Sequence, residues 1–219
     1  GMGGEGGWVR GVLGAQEARA RAYARFREGF RVYLAAEGGA RPAAEGAFQE
    51  ACEEATAAFA AASEQIRGFE AKLKEEGGQE GEVLAGLVRR LQEHEKANLE
   101  LTVTLQVLRK SHAAGRWTWQ SPPEAGGGGG GAGGGGEGHG GCEHAPPEPT
   151  EEEYSNAVAE ATQALEEHVG AINEALAELR ECLEVLEDDC PAADPRTRTV
   201  SPLNIFVSFR SLPPPPPPP

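Results

Sequence analysis

Long hydrophobic runs are missing from this chain. No window of about eighteen apolar residues occurs in its 219 residues, which excludes a membrane-spanning helix. Cysteine is scarce too. Four cysteines in a chain of this length make no disulfide framework, and Cys52 and Cys182 fall at apolar positions where a thiol acts as a small hydrophobe. No signal peptide is visible, since the apolar stretch 9–13 is too short and glycine-broken. The expectation is a soluble, intracellular protein with reduced thiols.

Positive charge is also in short supply, at 20 Lys and Arg against 35 Asp and Glu. The imbalance is local. Residues 150–189 carry eleven Glu and two Asp against one Arg, whereas residues 1–42 carry seven Arg against four Glu. The acidic segment repels a phosphate backbone, and only the first helical segment could attract one.

What is present is apolar periodicity. Phe48, Cys52, Ala55, Phe59, Ala62, Ile66, Phe69 and Leu73 recur at alternating steps of three and four. Leu84, Leu87, Leu91, His94, Asn98, Leu101, Leu105 and Leu108 do the same, as do Tyr154, Val158, Ala161, Leu165, His168, Ile172, Ala175, Leu179, Cys182 and Leu186. Such a repeat keeps one narrow stripe turned toward a partner helix. An earlier segment, 16–37, lines one face with Tyr23, Phe26, Phe30, Tyr33 and Leu34. The fold class read from this is all-α: an elongated bundle of about four amphipathic, coiled-coil-like helices with a disordered linker and tails.

Its parts divide as follows. Residues 1–14, rich in glycine, read as a flexible N-terminus. Residues 15–113 hold helices one to three, with Gly77-Gly78 as the link of an antiparallel hairpin whose arms span roughly 50 Å. Residues 114–149 form a Gly/Pro-rich linker. Residues 150–189 make the acidic fourth helix of the same bundle, opened by Thr150 and Glu153 as a capping box. Residues 190–219 are a proline-rich tail holding the strand-like run 205–209 and the prolines 213–219.

Candidate chemistry is thin. The run from Glu93 to Asn98 approaches the zinc-protease pattern H-E-x-x-H, but Asn98 stands where the second histidine would be. His94 and Asn98 are instead polar residues at core positions that set register. His139, Cys142 and His144 form an H-x-x-C-x-H cluster without the second ligand pair of a structural zinc site. Gly1, Gly3 and Gly6 match G-x-G-x-x-G only by composition. No catalytic residue, cofactor or metal is expected. The arginines of the first helix, Arg19, Arg21, Arg25, Arg27 and Arg31, suit pairing with the acidic fourth helix or a partner. Arg21, Arg25 and Arg31 are also the candidate nucleic-acid contacts. Trp117 and Trp119 suit a cap on the bundle end or an anchor for a partner.

Four pieces resemble the "required for excision 1-B" DNA-repair family. They are residues 21–34, the helix carrying Phe48, Phe59 and Ile66, residues 91–106 and residues 171–179, so that the resemblance covers about 16–112 and 151–186. It implies a non-enzymatic accessory or scaffold protein in DNA excision repair, acting in the nucleus through contacts with the repair machinery. The alternatives are a coiled-coil adaptor subunit of a cytoplasmic complex, and a direct DNA binder using the basic first helix. Oligomeric state and partner identity are left open by a stripe that can face its own chain or another molecule.

Overall fold

The structure, a computed structural model, describes residues 2–120 and 148–188. Four long antiparallel helices carry the chain: α1 (Met2–Ala35), α2 (Arg41–Glu76), α3 (Gly78–Ala113) and α4 (Glu151–Asp188), with single 3-10 turns at Gly38–Ala40 and Thr118–Gln120. The all-α bundle expected from the periodicity is what forms. The glycine tract, the His139–Cys142–His144 cluster, Cys190, the 205–209 run and the proline tail lie outside the described residues.

One boundary differs. The glycine-rich residues 1–14, expected to be flexible, belong to α1, which begins at Met2. Val9 and Val12 are fully buried there and Leu13 nearly so. Burial of three aliphatic side chains outweighs the weak helix propensity of glycine. Gly11 has a packing role as well: a Cβ added to it would lie 2.3 Å from the Phe69 ring, so its smallness lets α1 and α2 approach.

The hairpin between α2 and α3 is tight for a stated reason. The Gly77 N–H donates to the Leu73 carbonyl at 3.1 Å, closing α2, and Gly78 reverses the chain with φ of +58°. At the far end, α4 opens on the expected capping box. The Glu153 N–H donates to Thr150 Oγ1 at 3.2 Å, and the Thr150 N–H donates to Glu153 Oε2 at 2.7 Å.

The residues that end at 120 and resume at 148 meet at one end of the bundle. Trp117 and Trp119 stack at 5.3 Å, and Trp117 meets Tyr154 at 4.9 Å. His112 lies parallel to Tyr154, also at 4.9 Å. Trp119 Nε1 donates to the Pro149 carbonyl at 2.9 Å, and Glu148 accepts from Thr118. The tryptophans thus cap the bundle end.

The core is continuous at the hairpin end, where Val9, Val12, Ile66, Leu73, Leu84, Val88, Leu91, Ile172, Leu176 and Leu179 from all four helices pack together. At the other end the helices pair off. α1 and α2 are joined by aromatic rings, with Tyr23 to Phe59 at 4.4 Å and Phe30 to Phe48 at 5.2 Å. α3 and α4 are joined by a separate cluster of Leu105, Ala161 and Leu165. No described helix is long and apolar enough to cross a membrane.

Candidate interaction site between α2 and α3

The α3 seam differs from the expected one in a way that builds the site. Leu91, Asn98 and Leu105 are buried as expected, but between them Glu95 and Thr102 are buried, while His94, Leu101 and Leu108 are only half-buried. α3 serves two neighbours. One stripe, with His94 and Leu101, flanks α4, and the other, with Glu95, Asn98 and Thr102, turns polar side chains toward α1 and α2. A single heptad stripe misses this, because a helix inside a bundle has two contact faces.

On α1 the matching position is Arg19, only 4% exposed, and it pairs with α3 and not with the acidic fourth helix. Arg19 Nη1 stands 3.6 Å from Glu95 Oε2, and the guanidinium donates to Ser63 Oγ of α2. Asn98 shares a hydrogen bond with the hydroxyl of Tyr23, whose burial keeps that phenol protonated. Thr102 Oγ1 donates to the Asn98 carbonyl at 2.7 Å. Asn98 therefore sits in the core. The Gln16 amide, Arg19 Nη1 and both carboxylate oxygens of Glu95 make no hydrogen bond among the described residues. Burial pushes the Glu95 carboxyl up to about 7, and the Arg19 charge pulls the other way without cancelling it. Desolvation outweighs this long ion pair.

Glu70 shows the opposite balance nearer the hairpin. Burial alone would raise it, yet Lys74, Arg89 and Gln92 donate to it at 2.6, 2.7 and 2.8 Å and hold it below the usual carboxylate range.

Below the Arg19–Glu95 layer α2 and α3 separate. An open groove of about 730 Å³ lies between them, floored by Phe26 and Phe30 of α1. Phe48, Cys52, Ala55 and Phe59 of α2 form one wall, and Leu99, Val103 and Val107 of α3 the other. Its lower mouth is bridged by Lys110 to Glu45 at 2.8 Å and by Arg41 to the Ala113 carbonyl at 3.2 Å. Val103 and Val107 are 46% and 59% exposed, which a solvent-facing helix position does not favour.

The groove offers apolar contact rather than reactive groups. Among the described residues no three His, Cys, Asp or Glu side chains converge. Cys52 lines the wall as a free thiol whose ionisation burial makes harder. The candidate nucleic-acid contacts stand elsewhere. Arg21, Arg25 and Arg31 are exposed, with Arg21 paired to Glu17 at 3.8 Å and Arg31 to Glu28 at 2.6 Å on their own helix. The contact from α1 to acidic α4 comes instead from Arg10, to Glu187.

Residues 7–109 match the family described as DNA repair REX1-B. The match takes in nearly all of α1 to α3, including both walls of the groove and the Arg19–Glu95 layer; α4, with the 171–179 piece, lies outside it. No curated protein and no solved structure matches the chain.

Proposed function

We propose, from the DNA repair REX1-B sequence of its first three helices, that this protein serves DNA excision repair in the nucleus as a non-enzymatic scaffold. It binds protein partners through the groove between α2 and α3. The single observation behind this reading is the apolar groove with its exposed valines, which a partner's amphipathic helix would fill with anchors at one-turn spacing. A contiguous apolar surface rimmed by polar residues is how a soluble protein marks a docking site. The acidic net charge and the pairing of Arg21 and Arg31 within α1 favour protein partners over DNA.

The test is ultraviolet survival of cells that lack the protein and are complemented with variants. Wild type restores survival, and Val103→Glu with Val107→Glu does not, although that double variant keeps its helix content. Normal survival of the unrescued cells would overturn the repair role. Full rescue by the double variant would overturn the groove. Rescue lost instead with Arg21→Glu, Arg25→Glu and Arg31→Glu, together with salt-dependent retention of wild type on DNA, would favour direct DNA binding.

A further inference from the structure

His94 of α3 and His168 of α4 face each other with their Nδ1 atoms 3.0 Å apart and their ring centroids 5.3 Å apart. Both side chains are half-buried, so an ion can reach them from solvent. We propose that these two imidazoles are a binding site for a late first-row divalent metal ion, Zn2+ foremost, that staples α4 to α3.

The geometry carries the proposal. Zinc binds histidine nitrogen at about 2.0–2.1 Å with tetrahedral angles, which sets two ligating nitrogens about 3.3 Å apart. The two Nδ1 atoms need to separate by only a few tenths of an ångström to admit the ion between them. Without metal, one Nδ1–H donates to the other Nδ1. With metal, both rings carry their proton on Nε2 and present both Nδ1 lone pairs. Facing helices of a bundle are where such sites are built.

Two features of the surroundings define the site further. The residues one turn away are Leu91 and Asn98 on α3 and Leu165 and Ile172 on α4, so neither helix supplies a third ligand. Two tetrahedral positions remain for water or for a donor from a bound partner. The strongly acidic α4 raises the local concentration of cations. The consequence is structural: α4 lies outside the family match and follows segment 121–147, and the ion fixes it against α3, the hairpin arm that also walls the groove. This inference is independent of the repair role, because it concerns metal affinity alone.

The experiment uses the full chain with His139→Ser, Cys142→Ser and His144→Ser, which removes the other His/Cys cluster, and Zn2+ alone as probe. Excess Zn2+ raises the thermal midpoint by about 3 °C or more, and EDTA reverses the rise. His94→Gln and His168→Gln each abolish it. In the chain with both histidines intact, Zn2+ slows amide hydrogen exchange in 161–176 of α4 and 88–101 of α3. An unchanged midpoint would overturn the proposal, as would an equal rise in His168→Gln. Should a histidine variant lose its helix content, the exchange measurement decides alone: protection elsewhere, or none, is the negative result.

Discussion

The two ends of the bundle solve the same packing problem differently. Toward the hairpin, all four helices contribute aliphatic side chains of similar size, and a single core closes around Ile66, Leu91, Ile172 and Leu176. Toward the tryptophan cap, α1 and α2 present aromatic rings while α3 presents Glu95, Asn98 and Thr102, so the helices associate two by two. Those polar side chains are themselves buried, and beyond them the groove opens between the apolar walls of α2 and α3. The buried Arg19–Glu95 layer is the border. A short polar stretch on one helix thus marks where the closed part of the bundle ends and the open groove begins.

Cutting the border gives the largest effect. Arg19→Met leaves Glu95 buried without its cation and should cost about 3–5 kcal/mol at pH 8, read by urea unfolding. Arg19→Met with Glu95→Leu should recover most of that loss. The pH dependence follows from the raised Glu95 carboxyl. Its contribution to stability is full below the unfolded value of 4.5 and is lost as pH rises through about 7. Between pH 5 and pH 8 the wild type should therefore lose stability relative to Glu95→Gln. A parallel pH profile for the two proteins would show that Glu95 is ionised in the fold.

Within the closed end, Ile172→Ala should cost about 2–5 kcal/mol, because the four helices cannot collapse onto the cavity. Val107→Asp, in the wall of the open end, should stay within about 0.5 kcal/mol in the same measurement. A comparable loss at both positions would mean that the groove closes in solution. Glycines sharpen the contrast at smaller magnitude. Gly11→Ala drives a methyl into the Phe69 ring and should cost about 1–3 kcal/mol. Gly86→Ala meets nothing within 4 Å and should add about 0.5–1 kcal/mol through helix propensity. The smallest change is at the entry to α4. Thr150→Ala removes the capping box and should cost about 1 kcal/mol, seen as faster exchange of the first-turn amides.

Legibility followed the same division. The α2 seam was readable almost residue by residue, from Phe48 to Leu73, because that helix buries one stripe and exposes the rest. The α4 seam and its Thr150–Glu153 start were readable for the same reason, Leu176 and Leu183 being the additions on its broader buried face. α3 was half readable. Its apolar stripe predicts Leu91 and Leu105, but Glu95 looks like any surface glutamate until α1 is placed against it. Arg19 had a signal that composition obscured: it follows Val12 and Gln16 and precedes Tyr23 and Phe26 at helical spacing, so it lies on the inward face. The N-terminal glycines misled because glycine content reports backbone freedom, whereas Val9 and Val12 decide whether that freedom is lost.

The amino-acid order by itself determined four helices, the hairpin at Gly77-Gly78, the cap on α4 and which face of α2 is greasy, since these depend on periodicity and on interactions within a few residues. Only the tertiary structure decided that Arg19 meets Glu95, that His94 meets His168 and that α2 parts from α3. Each of these depends on which helices become neighbours, and at what rotation, across separations of about 50 to 75 residues that no local pattern encodes.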